Sequence, residues 1–177
     1  YQSFDANTTG SDNTAIGRNA LGANTTASNN TAFGVDSLRA NTTGTYNTAA
    51  GYSSLSYNTD AHYNTAFGSR ALDRNTTGDG GTAIGANALA TNTTASNNTA
   101  FGYAALQYNT IGESNTAIGR QALDANTTAD YNVAIGFGSS GAATTGANNT
   151  AVGSFAGDVI TTGSNNTSLG YQADPTA

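Results

Sequence analysis

Large apolar residues recur along this chain on a fixed grid. Leu21, Leu38, Leu55, Leu72, Leu89, Leu106 and Leu123 follow one another at 17-residue intervals. A second series keeps the same interval: Ile16, Phe33, Ala50, Phe67, Ile84, Phe101, Ile118, Ile135, Val152 and Leu169. Between them lie mostly Asn, Thr, Ser, Gly and Ala. Ten copies of one unit start at Asn13, Asn30, Asn47, Asn64, Gly81, Asn98, Asn115, Asn132, Asn149 and Asn166, without insertion or deletion. Numbered from that first residue, the unit reads N-T-A-φ-G-x-x-(A/S)-L-x-x-N-T-T-(G/A)-x-x, where φ is apolar.

A repeat that holds its length this strictly predicts a solenoid, in which each repeat is one coil stacked on the next. A slip of one residue would turn a core side chain toward solvent. Seventeen residues are too few for a helical-hairpin repeat, which needs about 33. They suit a coil of two or three short strands with tight turns. Gly at position 5 and Gly or Ala at position 15 mark the turns. Short polar side chains disfavour helix, and Thr suits strands. The expected fold is all-β: a parallel β-solenoid of ten 17-residue coils forming one domain over 1–177. Partial coils are expected at 1–12 and 171–177, and irregular ones over 137–177. There position 9 becomes Ser140 and then Gly157, position 12 becomes Ala143 and then Ile160, and Phe137, Phe155 and Val159 enter. Pro175, the single proline, lacks a ladder donor and marks an end to regular stacking or simply the tail.

Hydrophobicity assigns the faces. The position 4 ladder (Ile16, Phe33, Phe67, Ile84, Phe101, Ile118, Ile135) is expected to point into the coil, and strand alternation then puts the Thr of position 2 inside as well. The Ala of position 3 is expected outside. Leu21 through Leu123 at position 9 supply the second core ladder. Asn at positions 1 and 12 is expected to form amide ladders between coils, as in cross-β stacks. At about 4.8 Å per coil, ten coils give a rod about 48 Å long.

Composition would otherwise suggest disorder. Leu, Ile, Val and Phe number 24 of 177 residues, below the roughly 20 % expected of a globule. Charge is also sparse, at 9 % with a net charge of −6, so the chain is no solvated polyelectrolyte. The grid resolves this: stacked coils need few large apolar residues each. There is no cysteine, so no disulfide framework is possible. Five Arg and no Lys give no basic stripe, which argues against a nucleic-acid partner. No apolar run reaches the length of a membrane span, so no membrane insertion of this segment is expected. No signal peptide is visible. A start at Tyr1 rather than Met suggests a processed product or a piece of a longer protein.

Candidate chemistry is thin. His62 and Glu113 fall at position 16, a variable turn site. The acidic residues form no recurring pair for general acid–base work, so no enzyme, catalytic residue or cofactor is expected. Asp79-Gly80-Gly81 hints at a calcium turn, but the repeat of calcium-binding β-rolls is missing, so no metal site is assigned. The many Asn-x-Ser/Thr sequons, such as Asn7, Asn24 and Asn148, follow from composition. Tyr1, Tyr52 and Tyr103 share position 6; Tyr57 and Tyr108 share position 11. Their 51-residue spacing reads as duplication of a three-coil block, or as an aromatic stripe for glycan or subunit contact. Thr at positions 13 and 14 raises ice binding, although the Thr-x-Thr rows of such proteins are missing.

The string Asn-Thr-Ala-Ile-Gly, and above all Tyr131-Asn132-Val133-Ala134-Ile135-Gly136-Phe137-Gly138-Ser139, resembles the head repeat of trimeric autotransporter adhesins. Asn-Thr-Thr-Gly-x-x-Asn-Thr-Ala-x-Gly is also similar to repeats of phage tail fibres and of bacterial surface proteins carrying a tail-fibre-type chaperone. The resemblance spans the whole chain. It implies a left-handed parallel β-roll, three chains side by side, and a rigid extracellular head or shaft. In the adhesins an outward Ala packs against neighbouring chains, which the resemblance places at position 3 here. The 17-residue coil is longer than the adhesin one, and no stalk, anchor or chaperone domain is visible. The expected function is thus a non-enzymatic structural or adhesive fibre, extracellular, at a cell surface or on a virion. Its partners would be itself, as homotrimer or end-to-end filament, and a host-surface or glycan ligand. The alternative is a ligand-binding solenoid for ice or glycan.

Overall fold

The computed structural model describes residues 3–174; Tyr1 and Pro175 lie outside the described residues. Ten three-residue strands run from β1 (Thr14–Ile16) and β2 (Thr31–Phe33) to β10 (Thr167–Leu169). They form one parallel sheet in chain order, each strand paired with its sequence neighbour at a 17-residue offset. The chain is a β-solenoid with one coil per repeat. Each coil holds a single strand rather than two or three, and turns make up its remainder.

The strand faces are the reverse of the hydrophobicity assignment. Position 3 points inward: Ala32, Ala49, Ala66, Ala83, Ala100, Ala117 and Ala134 are fully buried. Position 4 points outward. Ile16 is 55 % exposed and Phe33 57 %; Phe67, Phe101, Ile118 and Ile135 are exposed too, and Ile84 is half-buried. The Thr of position 2 shares that outer face, half-buried or exposed. The physical reason is the narrowness of the coil. Leu21 through Leu123 are fully buried and pack directly on the strand Ala methyl groups. Since interiors are close-packed, that column leaves only small side chains room beneath the sheet.

Tight turns close the short coil around that column. Position 5 Gly has φ near 130–140° in most coils, 133° at Gly17 and 142° at Gly51. A Cβ on Gly17 would meet the Gly34 carbonyl oxygen at 2.4 Å, so no side chain fits. Position 9 is more demanding. Leu21 (φ 50°), Leu72 (φ 50°) and Leu106 (φ 51°) sit in the left-handed region, which costs about 1–2 kcal/mol per residue. Fully burying a Leu side chain contributes about 1.5–3 kcal/mol, which offsets that strain.

Two asparagine ladders knit the coils. At position 12 each side-chain Nδ2 donates to the Oδ1 one coil earlier, unbroken from Asn24→Asn7 (3.1 Å) through Asn58→Asn41 (2.7 Å) to Asn126→Asn109 (2.7 Å). It stops where Ala143 replaces Asn, and Asn126 Oδ1 is left buried without a partner. At position 1 each Oδ1 accepts the next coil's backbone N–H, as in Asn47 N–H to Asn30 Oδ1 at 2.9 Å. Both columns also donate to the position 15 carbonyl: Gly44 O receives Asn30 and Asn41. Gly81 interrupts the position 1 column.

A second period of 34 residues overlies the first. Position 15 alternates Gly10, Ala27, Gly44, Ala61, Gly78, Ala95, Gly112, Ala129 and Gly146. A Cβ on Gly10, Gly44 or Gly78 would come 2.3 Å from the next coil's Ala carbonyl oxygen. In those Gly coils the following N–H reaches the next coil's position 16 side chain. Ser11 donates to Ser28 Oγ, Thr45 to His62 Nδ1, Asp79 to Ser96 Oγ and Glu113 to Asp130 Oδ1. Position 16 thus accepts at Ser28, His62, Ser96 and Asp130, and also at Asp79 from the His62 backbone N–H, so it is not a free turn site.

The last coils are built differently. Ser140 and Gly157 take the Leu position, still at positive φ, and Ile160 is buried where Asn stood. The bulk lost inside returns outside as Phe137 packed edge-on against Phe155, with ring centroids 4.8 Å apart.

Candidate functional surface

The outward strand face is the largest ordered feature. Ten position 4 residues form one rank over nine strand intervals, about 43 Å, beside a rank of Thr broken once by Val133. A contiguous apolar patch of this kind is unusual on a monomer.

A second feature lies on the turn segment that follows the strands. Residues at positions 6, 7, 10 and 11 of neighbouring coils line a cleft of ≈ 330 Å³: Asp36, Arg39, Tyr52, Ser53, Ser56, Tyr57, Arg70, Asp73 and Arg74. It adjoins a cleft of ≈ 360 Å³ that shares Arg70, Asp73 and Arg74 and adds Asn87, Ala90, Thr91, Gln107 and Tyr108. Three of the chain's five Arg therefore stand along one groove. The Arg39 guanidinium lies over the Tyr57 ring, 5.3 Å from its centroid. Among the described residues the one ion pair is Arg18–Asp36 at 3.9 Å, so Arg39, Arg70 and Arg74 are in none. Asp73 Oδ1 is buried without a hydrogen-bond partner. Burial pushes the Asp73 carboxyl above its ordinary value, against the pull of Arg70, Arg74 and Arg39. Burial likewise pushes Asp124 up, against the backbone amides of Ala125 and Asp124.

The sequence-predicted contact residues fall as follows. Tyr52, Tyr57, Tyr103 and Tyr108 are all about half exposed; Tyr1 lies outside the described residues. Tyr52 and Tyr57 share the first cleft, and Tyr108 lines the second. Tyr103 stands apart, with the Arg120 guanidinium 5.8 Å from its ring centroid. The four do not stack as one stripe. The tyrosine stack is elsewhere, between Tyr46 and Tyr63 at position 17, with centroids 5.2 Å apart and planes 8° off parallel.

Other candidates acquire structural work. His62 is half-buried; its Nδ1 accepts from the Thr45 N–H at 3.0 Å, and its backbone N–H donates to Asp79 Oδ1. Position 13 Thr hydroxyls donate to the next coil's Thr carbonyl, as in Thr42 to Thr59 and Thr76 to Thr93. Among the described residues no three His, Asp or Glu side chains group to hold a metal ion.

What fold and surface define together is a class: a thin, single-strand-per-coil β-solenoid with one apolar face and one charged groove. Comparison with protein-family profiles, curated proteins and solved structures gave no match.

Proposed function

We propose that the chain is a non-enzymatic structural or adhesive fibre segment, an extracellular shaft or head whose strand face packs against further copies of itself. The observation that carries this reading is the outward rank from Ile16 to Leu169. A lone rod would leave it in water along its whole length. End-to-end stacking alone would also leave it wet, so lateral association, as a closed trimer or other cyclic oligomer, is favoured over a filament of single chains. Sedimentation analysis over a wide concentration range tests it. A discrete side-by-side oligomer is expected; a monomer at every concentration overturns it.

The second reading, ice binding, draws on the Thr rank of position 2, which stands outward at strand spacing. Its neighbours at position 4 swing between Ala50 and Phe67 in adjacent coils, which makes an uneven face. Absence of thermal hysteresis removes this reading.

A further inference from the structure

We propose that the groove around Arg70 and Arg74 binds an acidic oligosaccharide, a chain of sugar rings bearing carboxylates, laid along the rod. The inference gives the adhesive half of the fibre reading a ligand class. It uses a different surface from the strand face.

The rod is anionic, with a net charge of −6, yet Arg39, Arg70 and Arg74 converge on one polar groove and are in no ion pair among the described residues. A guanidinium presents a planar fork of donors that fits a carboxylate in bidentate fashion. Arg39 is held in place over the Tyr57 ring, so part of its side-chain entropy is spent before a ligand arrives.

Chemistry then narrows the anion. Asp36 and Asp73 line the same groove. They would repel a densely charged polyphosphate or nucleic-acid backbone. They suit a ligand that brings hydroxyl donors between its charges. The half-exposed Tyr52 ring lines the same groove and suits the apolar C–H side of a sugar ring. Carboxylate, hydroxyl and apolar C–H face together describe an acidic sugar. The groove runs from the coil of Asp36 to that of Gln107, four coil intervals or about 19 Å. That length takes several rings rather than one.

Calorimetric titration of the full chain tests this with three carboxylated probes: tetragalacturonate, a sialic-acid tetramer and a hyaluronan octasaccharide. Methyl-esterified tetragalacturonate and inorganic polyphosphate serve as controls. At least one carboxylated probe is expected to bind at least tenfold more tightly than either control. Arg74→Gln and Arg70→Gln should each weaken that binding at least tenfold, and Tyr57→Ala several-fold. Arg120→Gln, outside the groove, should leave it unchanged. Unaltered melting and sedimentation of the Arg variants would separate loss of ligand from loss of fold or assembly. The proposal is overturned if none of the three probes binds, if the ester or polyphosphate binds as well, or if Arg120→Gln weakens binding as much as Arg74→Gln. None of these failures bears on lateral assembly, which the mass measurement decides alone.

Discussion

Two apolar ranks run the length of this rod with opposite fates. The Leu column is fully buried although its backbone is strained; the Ile and Phe rank lies on relaxed strand backbone and faces out. Of the apolar ranks, the ones of uniform size lie inside this thin solenoid and the one of variable size lies outside. The inner columns hold one residue type over long runs, Leu at position 9 from Leu21 to Leu123 and Ala at position 3 from Ala15 to Ala151. The outer rank runs from Ala50 to Phe67 in adjacent coils. A close-packed interior cannot absorb that change of volume, whereas an outward face can.

The largest test breaks the inner column. Leu72→Asp buries an unpaired charge among methyl groups and should abolish cooperative folding of the central coils; Leu72→Ala should cost about 2–5 kcal/mol. Denaturant melts followed by circular dichroism measure both. The matched change on the outer rank, Phe67→Asp, should leave the melt of the isolated chain within about 1 kcal/mol, since that ring is already 44 % exposed. Equal damage from Phe67→Asp and Leu72→Asp would erase the distinction.

A smaller effect is expected where polar ladders support the Leu column. Asn75→Ala removes donors to Asn58 Oδ1 and Gly78 O and the acceptor for Asn92 Nδ2. The expected loss is about 1–3 kcal/mol, read from thermal melts. Conversely, Gly81→Asn fills the gap in the position 1 column. It would supply a donor for Ala95 O and an acceptor for the Asn98 N–H, as neighbouring coils do through Asn64 and Asn115. A gain of about 1 kcal/mol is expected; a loss would show that the column is tighter at this coil than its neighbours.

The smallest effect is a pH dependence. Burial raises the Asp124 carboxyl in the folded chain above its unfolded value of 3.8. The unfolded state therefore ionises first as pH rises, and stability falls from 3.8 upward until the folded group has also ionised. Asp124→Asn should stabilise the chain slightly at neutral pH and not below that window. Melts at acid and neutral pH check the sign.

The sequence made part of this legible. The 17-residue register, the parallel stack, the buried Leu column and the position 12 amide ladder all follow from the strict grid. The strand faces did not, because Ile and Phe outweigh Ala on any hydrophobicity scale, although the uniform Ala was the better signal. The adhesin resemblance misled in the same direction, by placing the Ala of position 3 outside. The 34-residue period was legible in the Gly and Ala alternation of position 15, but its reason, a carbonyl 2.3 Å from a missing Cβ, needs coordinates. Left-handed Leu residues carry no sequence signal at all. The groove was hidden because Arg39, Arg70 and Arg74 occupy three different repeat positions and meet only when coils stack.

The central proposal is that the outer rank is an assembly surface whose side chains lie outside the core. Sedimentation of the triple variant Phe33→Asp, Phe67→Asp, Phe101→Asp beside the unaltered chain tests it most directly. The account predicts a discrete oligomer for the unaltered chain and a folded monomer for the variant, with its β-signal intact. An unfolded variant, or one that assembles as the unaltered chain does, would contradict it.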